Sequence, residues 1–123
     1  MTDSTINDAK TTPRVSVLMP AYNCEAYVAE AIESILNQTF NDWELLVADD
    51  GSTDRTREII DHYTDPRVRR LHNANNQGLV ETWNKLLRHA HGEFLLWQDA
   101  DDISYPHRIE ILLEMLRAKP NVL

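Results

Sequence analysis

The feature that most constrains the fold is a regular alternation of short apolar runs with amphipathic segments. Four such runs occur along the chain: VSVLM at residues 15–19, WELLVA at 43–48, VRRLH at 68–72 and FLLW at 94–97. Each run has the length of a strand and is bounded by turn-forming residues. The third run is more polar than the others, which suits a strand at the edge of a sheet.

In the segments between these runs, apolar residues recur with the spacing of a helix that buries one face. These segments cover residues 25–38, 55–63 and 79–90, and a last helix is predicted to begin near Pro106 with four apolar residues facing inward: Ile109, Leu112, Leu113 and Leu116. Thr53 or Asp54 is expected to cap the second helix. Trp83 and Trp97 lie in apolar segments, so both are assigned to the core.

Strands that alternate with helices in this way predict an α/β fold built on an open, mainly parallel, doubly wound sheet with helices on both faces. We predict the strand order 3-2-1-4, which places the switch point between the first and fourth strands. Because parallel strands end at a common edge, three polar loops should meet there: PAYN at residues 20–23, DDGSTD at 49–54 and DADD at 99–102.

The two ends of the chain differ from this pattern. Residues 1–13 lack periodicity, and we expect a disordered leader followed by one domain over residues 14–123. Residues 121–123 resemble a turn that leads into another strand. The domain is therefore expected to be truncated, with its second half outside this chain.

Composition excludes some partners and locations. The chain has 123 residues, a net charge of −8 and a 42% hydrophobic content, so it has material for one core, and nucleic acid is not expected as a partner. No apolar segment approaches the roughly 20 residues of a membrane span. The N-terminus lacks the features of a signal peptide, and the single cysteine fits a reducing compartment. These observations predict a cytoplasmic protein, with attachment to the cytoplasmic membrane face left to regions outside this chain.

The DADD loop carries three carboxylates within four residues, Asp99, Asp101 and Asp102. Such a cluster needs either free water or a cation to relieve its repulsion. A solvated loop that caps the next helix is one explanation, but a single aspartate suffices for capping. Carboxylate oxygens are the ligands that Mg²⁺ and Mn²⁺ prefer, so a metal site is the favoured hypothesis.

The other loops are less specific when each is taken alone. DDGS is an ordinary turn sequence with glycine at a positive φ. In PAYN, Pro20 is expected to end the first strand, and Tyr22 is either a surface residue or a platform for a nucleotide base. The backbone N–H groups of residues 76–78 either bind a phosphate or simply form a turn.

Taken in order, the segments VSVLMPAYNCEAYVAEAIESILNQTFNDWELLVADDGSTDRT, the NNQG loop with its following helix, and GEFLLWQDADD resemble a known family. The similarity is to the nucleotide-sugar-binding half of family 2 glycosyltransferases of the GT-A fold, and it covers about residues 14–120. Several motifs in the right order are far more specific than an isolated DxD sequence.

This resemblance implies a donor site for a nucleoside diphosphate sugar, often a UDP sugar, and an acceptor that is a carbohydrate or a lipid-linked molecule. Asp101 or Asp102 would hold Mg²⁺ or Mn²⁺, with Asp99 as the other half of the DxD element, near the metal and directed to the ribose or sugar. Asn84 would reach the sugar or phosphates, although Trp83 stands where many relatives carry arginine. The remaining donor-site residues would surround the base and ribose: Pro20, Ala21, Tyr22, Asn23, Asp49 and Asp50.

The resemblance also implies transfer with inversion at the anomeric carbon. The general base would be an Asp or Glu located after Leu123, so this chain would contain no catalytic residue and transfer little sugar by itself. Two alternatives remain. One is a binding module without transfer activity; the other is a phosphatase that uses Asp99 as a nucleophile, although such enzymes place DxD after the first strand.

Overall fold

The computed structural model describes residues 12–118. The elements follow one another as β1 (Val15–Ala21), α1 (Val28–Leu36), β2 (Trp43–Asp50), α2 (Thr56–Asp61), β3 (Val68–Asn73), α3 (Leu79–His89), β4 (Phe94–Trp97) and α4 (Arg108–Ala118). The four strands form one parallel sheet in the order β3-β2-β1-β4. This arrangement confirms the predicted class, strand order and polar edge strand β3.

The central strands bury side chains on both faces of the sheet, which is why they are almost entirely apolar. Val17 and Met19 of β1 pack with α1 and with Ile60 of α2 and Ile109 of α4. Leu18 of β1 points to the opposite face, where it meets Leu86 of α3 and residues of β2. Helices therefore cover both faces, as predicted.

The first two strands extend further than predicted. Pro20 continues β1 in register with Ala48, because β4 ends opposite Leu18 and a proline there has no partner on that side to donate to. Asp49 and Asp50 belong to β2 and are buried, although their sequence reads as a turn. Hydrogen bonds from Ser52 to Asp49, and from Asn73 and the NNQG loop to Asp50, compensate for burying these two carboxylates.

Helix α1 begins at Val28 and not at residue 25 as predicted, because Glu25 takes part in contacts between loops. The backbone N–H of Glu25 donates to Asp54 Oδ2 at 3.2 Å, and Glu25 Oε1 accepts the backbone N–H of Arg55 at 2.9 Å. Asp54 Oδ1 also accepts the backbone N–H of Thr56 at 2.9 Å. Of the two predicted capping residues, Asp54 therefore interacts with the start of α2.

The core assignment of Trp97 is wrong, because this side chain remains 37% exposed at the end of β4. Trp83 is half-buried and lies against it. In α4, Ile109 is buried, and the other apolar residues predicted to face inward are half-buried. A reason is that, in the sheet formed by residues 12–118, β4 is an edge strand with β1 as its one neighbour.

Two predictions lie wholly or mostly outside the described residues: the disordered leader and the turn near residue 121. Within residues 12–118, no helix has the length and apolar character that crossing a membrane requires.

Candidate functional site

Three polar loops meet at the carboxyl edge of the sheet. Ala21 at the end of β1 is in register with Asp49 of β2, and Ala100 of the DADD loop belongs to the same buried cluster as Ala21. Cys24 packs against that cluster. Burial raises the pKa of the Cys24 thiol, and the charge of nearby Asp101 acts in the same direction. The first and last loops are therefore close neighbours in space.

Asn23 joins the PAYN loop to the DDGS loop. Its backbone has a positive φ of 46°, a conformation that asparagine tolerates better than most residues. The backbone N–H of Asn23 donates to Ser52 Oγ at 3.0 Å, and its Oδ1 accepts the backbone N–H of Thr53 at 2.8 Å. This side chain is used to hold two loops together.

Asp50 organises the NNQG loop that leads into α3. Oδ1 accepts hydrogen bonds from Asn73 Nδ2 at 2.9 Å and from the backbone N–H of Gln77 at 2.7 Å. Oδ2 accepts from Asn76 Nδ2 at 3.2 Å and from the backbone N–H of Gly78 at 3.0 Å. Asp50 is only 4% exposed, and these four donors fill the usual capacity of a carboxylate.

The same contacts decide what the NNQG loop can offer to a ligand. The sequence leaves two interpretations of residues 76–78, a phosphate-binding segment or a simple turn. In the structure, the backbone N–H groups of Gln77 and Gly78 bind the carboxylate of Asp50. This segment is therefore a loop anchored to β2.

Neighbouring residues shape the DDGS loop, which packs closely against the NNQG loop. Asp49 is 1% exposed, and its Oδ1 accepts the backbone N–H of Ser52 at 3.3 Å. Gly51 has a φ of 69°, and a Cβ atom added to it would lie 2.4 Å from the backbone nitrogen of Asn76. Only glycine lets the two loops approach so closely.

A cleft of about 200 Å³ opens beside these loops. Tyr22 lines it and is 48% exposed, so the ring is available to a ligand. The complete lining is Pro20, Ala21, Tyr22, Asp50, Asn76, Gly78, Leu79 and Thr82. Four predicted donor-site residues thus share one cleft, whereas Asn23, Asp49 and the exposed Asn84 of α3 are outside its lining.

The DADD loop gathers its three carboxylates at the surface. Asp99, Asp101 and Asp102 are exposed, and each offers an oxygen atom such that all three atoms lie within 4.8 Å of one another. The loop is closed by a hydrogen bond from the backbone N–H of Asp102 to the carbonyl of Asp99 at 3.1 Å. Hard oxygen donors at this spacing fit Mg²⁺ or Mn²⁺, and their exposure leaves positions for water or phosphate oxygens.

Gln98 fixes the position of this loop and was missed by the sequence reasoning. It is buried, and its Nε2 donates to the carbonyl of Asp102 at 2.8 Å. Its Oε1 accepts from Ser104 Oγ at 2.5 Å and from Arg108 Nη1 at 2.7 Å. A single glutamine after an apolar run gives no sequence signal for such a role.

Asn73 was also missed. Its Nδ2 donates to Asp50 and, at 3.2 Å, to Thr82 Oγ1, while its Oδ1 accepts from Lys85 Nζ at 2.8 Å. Asn73 therefore connects β3 to both β2 and α3. The only available signal was a polar residue at the carboxyl end of a strand, where functional loops of such sheets begin.

Comparisons with known proteins agree with this arrangement. The family model described as "Glycosyl transferase family 2" matches residues 16–123. A curated relative is the UDP-Glc:alpha-D-GlcNAc-diphosphoundecaprenol beta-1,3-glucosyltransferase WfgD of Escherichia coli. It is 38% identical over 102 residues, which cover 83% of this chain and 40% of WfgD.

Two solved structures share the fold. TarS 1-349 of S. aureus in complex with UDP-GlcNAc superposes with a TM-score of 0.80 at 30% identity, over 85% of this chain and 31% of that one. The mannosyltransferase PcManGT of Pyrobaculum calidifontis, in complex with GDP-Man and Mn²⁺, has a TM-score of 0.78 at 30% identity. That match covers 92% of this chain and 35% of that one. The chain thus spans between about a third and two fifths of the length of these proteins.

Proposed function

The chain belongs to glycosyl transferase family 2, and on that premise we propose that it binds a nucleoside diphosphate sugar, preferably a UDP sugar, for transfer to a carbohydrate or lipid-linked acceptor. One observation carries the proposal: the cleft beside Tyr22 and the carboxylate cluster of the DADD loop lie at the same edge of the sheet. In open α/β sheets, ligands bind at this edge, next to the switch point.

The base and ribose are assigned to the cleft. Pro20 and Ala21 line the cleft, and the half-exposed ring of Tyr22 offers a stacking surface. Asp50 shapes the wall by holding the NNQG loop, so a direct hydrogen bond from the base to Asp50 would have to replace one of its four present donors. Asn23 supports the cleft by joining the PAYN and DDGS loops, and Asp49 does so through its hydrogen bond within the DDGS loop.

The diphosphate is assigned to the DADD loop. The chain carries a net charge of −8, so a polyanion needs a cation at this acidic edge. Asp101 and Asp102, with Asp99 beside them, would hold Mg²⁺ or Mn²⁺, and the presence of Mn²⁺ with GDP-Man in the PcManGT structure supports this assignment. A bound divalent ion supplies charge that stabilises the leaving diphosphate.

The sugar would then lie between the DADD loop and α3, within reach of Asn84. We propose inversion at the anomeric carbon, with the general base supplied by an Asp or Glu of the protein after Leu123. The reducing environment suggested by the single Cys24 matches a cytoplasmic site of reaction.

A nucleotide panel tests this proposal. UDP, GDP and ADP are titrated into the chain by calorimetry, with Mn²⁺ and with the metal removed by EDTA. We expect UDP to bind with Mn²⁺ and to lose most of its affinity in EDTA, because its phosphates then face carboxylates without a cation. WfgD is named for UDP-Glc and TarS was solved with UDP-GlcNAc, whereas PcManGT was solved with GDP-Man. Tighter binding of GDP than of UDP would therefore change the proposed nucleotide base from uracil to guanine. Failure to bind any of the three nucleotides would contradict the proposal.

A further inference from the structure

We infer that Trp97 is a positioning residue for Asp99, a role that rests on the proposed donor site and adds a member to it. The indole Nε1–H of Trp97 donates a hydrogen bond to Asp99 Oδ1 at 2.6 Å. Trp97 ends β4, and Asp99 begins the carboxylate cluster two residues later. The bond therefore ties the first carboxylate of the cluster to the rigid sheet.

The bond is of a strong type. Hydrogen bonds to an ionised acceptor are shorter and stronger than those between neutral groups. Asp99 is otherwise an exposed side chain next to two other carboxylates, and their repulsion would drive it away from them. A neutral donor on Oδ1 fixes the direction of the carboxylate while leaving Oδ2 free for a metal or a substrate hydroxyl.

Trp97 is itself held from several sides. Its ring lies against that of Trp83 on α3, with the ring centroids 3.5 Å apart and the planes inclined by 44°. Its carbonyl accepts a hydrogen bond from Arg108 Nη2 at 3.2 Å. The next residue, Gln98, donates its backbone N–H to the carbonyl of Leu18 in β1 at 3.0 Å. The two backbone bonds fix the position of Trp97 in the chain, and the contact with Trp83 restricts the orientation of its ring.

Trp83 of α3 supports Trp97, a role that its position in the sequence does not indicate. By packing against Trp97, it connects the helix that follows the NNQG loop to the carboxylate cluster. The walls of the proposed base cleft and the proposed metal site are thus linked through two aromatic rings. The structural consequence is that Asp99 is oriented before any ligand binds.

The bond itself can be observed by NMR without a ligand. The chain has three tryptophans, so its indole N–H resonances can be assigned with Trp97→Phe and Trp83→Phe. We expect the Trp97 resonance to lie downfield and to move upfield in Asp99→Asn, since the acceptor loses its charge. The Trp83 resonance, whose N–H is not the donor to Asp99, should move much less.

The functional role is tested by Mn²⁺ titration, with free Mn²⁺ followed by electron paramagnetic resonance. Trp97→Phe keeps an aromatic ring and removes the donor, and we expect its affinity for Mn²⁺ to fall roughly threefold to tenfold. Trp43→Phe removes an indole N–H at the opposite, amino end of the sheet and should stay within about twofold of the wild type. In an Asp99→Asn background, adding Trp97→Phe should produce no further loss, which a merely structural effect would not reproduce.

The outcomes separate this inference from the proposed function. Two results would overturn the role of Trp97 and leave the donor site standing. One is equal Mn²⁺ affinity in the wild type and Trp97→Phe; the other is a Trp97 indole chemical shift that does not change in Asp99→Asn. A wild type that binds no Mn²⁺, with or without UDP, would overturn both.

Discussion

Asp50 Oδ2 lies 3.0 Å from the backbone nitrogen of Gly78, so a buried carboxylate of β2 determines where helix α3 begins. Gly78 precedes the first residue of α3 and has a φ of 94°. The residues on either side of this bond both line the cleft beside Tyr22. The shape of the proposed base pocket therefore depends on a hydrogen bond between two parts of the protein, before any nucleotide is present.

The first prediction concerns Asp50→Asn. In the wild type, each carboxylate oxygen of Asp50 accepts hydrogen bonds from two donors. In either orientation of the new amide, its NH₂ group replaces one of these oxygens and leaves two donors without an acceptor. Because these groups are buried, we expect the free energy of unfolding to fall by about 2 to 4 kcal/mol. Urea denaturation at neutral pH measures this change.

The matched control is Asp42→Asn, the same chemical change at an exposed aspartate. Asp42→Asn should change the free energy of unfolding by no more than about 0.5 kcal/mol. If Asp50→Asn proved as mild as the control, the NNQG loop would not depend on Asp50 for its conformation.

A second prediction compares two glycines that both have a positive φ. Gly78→Ala introduces backbone strain only, since a Cβ there has no atom within 4 Å. Its φ of 94° and ψ of 163° are essentially restricted to glycine, so a destabilisation of about 1–3 kcal/mol is expected. Gly51→Ala adds a clash with the backbone of Asn75 and Asn76, which should destabilise the protein by a further ~1–3 kcal/mol. Thermal unfolding of the two variants side by side gives the difference, and equal stabilities would contradict the close packing of the two loops.

The third prediction is a pH dependence that arises from Glu44. Burial acts to raise the pKa of Glu44, but hydrogen bonds from Ser16, the backbone of His91 and Arg69 outweigh it and hold the pKa below the ordinary value of 4.5. A pKa lowered by folding stabilises the protein above the unfolded value, and this contribution is lost as the pH falls through the folded value. The wild type should therefore lose stability on acidification below about pH 4.5.

Glu44→Gln removes this titration. Its stability should be below that of the wild type at neutral pH, and the gap should narrow as the pH falls, as measured by urea denaturation at several pH values. Glu58→Gln serves as the control, because Glu58 forms an exposed ion pair with Arg55 and such pairs contribute little. A gap that stayed constant with pH would mean that Glu44 does not supply the acid sensitivity.

Sequence patterns were sufficient for the architecture, since apolar runs and helical periods report burial directly. They were less informative at strand ends. Pro20 and the pair Asp49 and Asp50 read as terminators, yet all three lie within strands. Pro20 can continue β1 because β4 ends opposite Leu18. Asp50 can be buried in β2 because Asn73 and the NNQG loop provide the donors that its carboxylate requires. Such compensation comes from residues distant in the chain and is not visible in a local window.

Local sequence was also an incomplete guide to the residues of the candidate donor site. The three carboxylates of the DADD loop could be singled out because like charges rarely cluster without a reason. Gln98 and Asn73 could not, because a polar residue reveals its partners only when the chain is folded. Trp97 was misassigned since its sequence environment is apolar, although its indole nitrogen is directed to Asp99.

The most direct test of the central claim is a calorimetric titration of UDP in the presence of Mn²⁺ with the wild type, Asp101→Ala and Asp42→Ala. Asp101 belongs to the carboxylate cluster, whereas Asp42 is an exposed aspartate outside it. We predict that UDP binds the wild type and Asp42→Ala alike, and that Asp101→Ala loses the increase in affinity that Mn²⁺ provides. Equal Mn²⁺-dependent binding of UDP by Asp101→Ala and the wild type would contradict a metal-bridged donor site at this edge of the sheet.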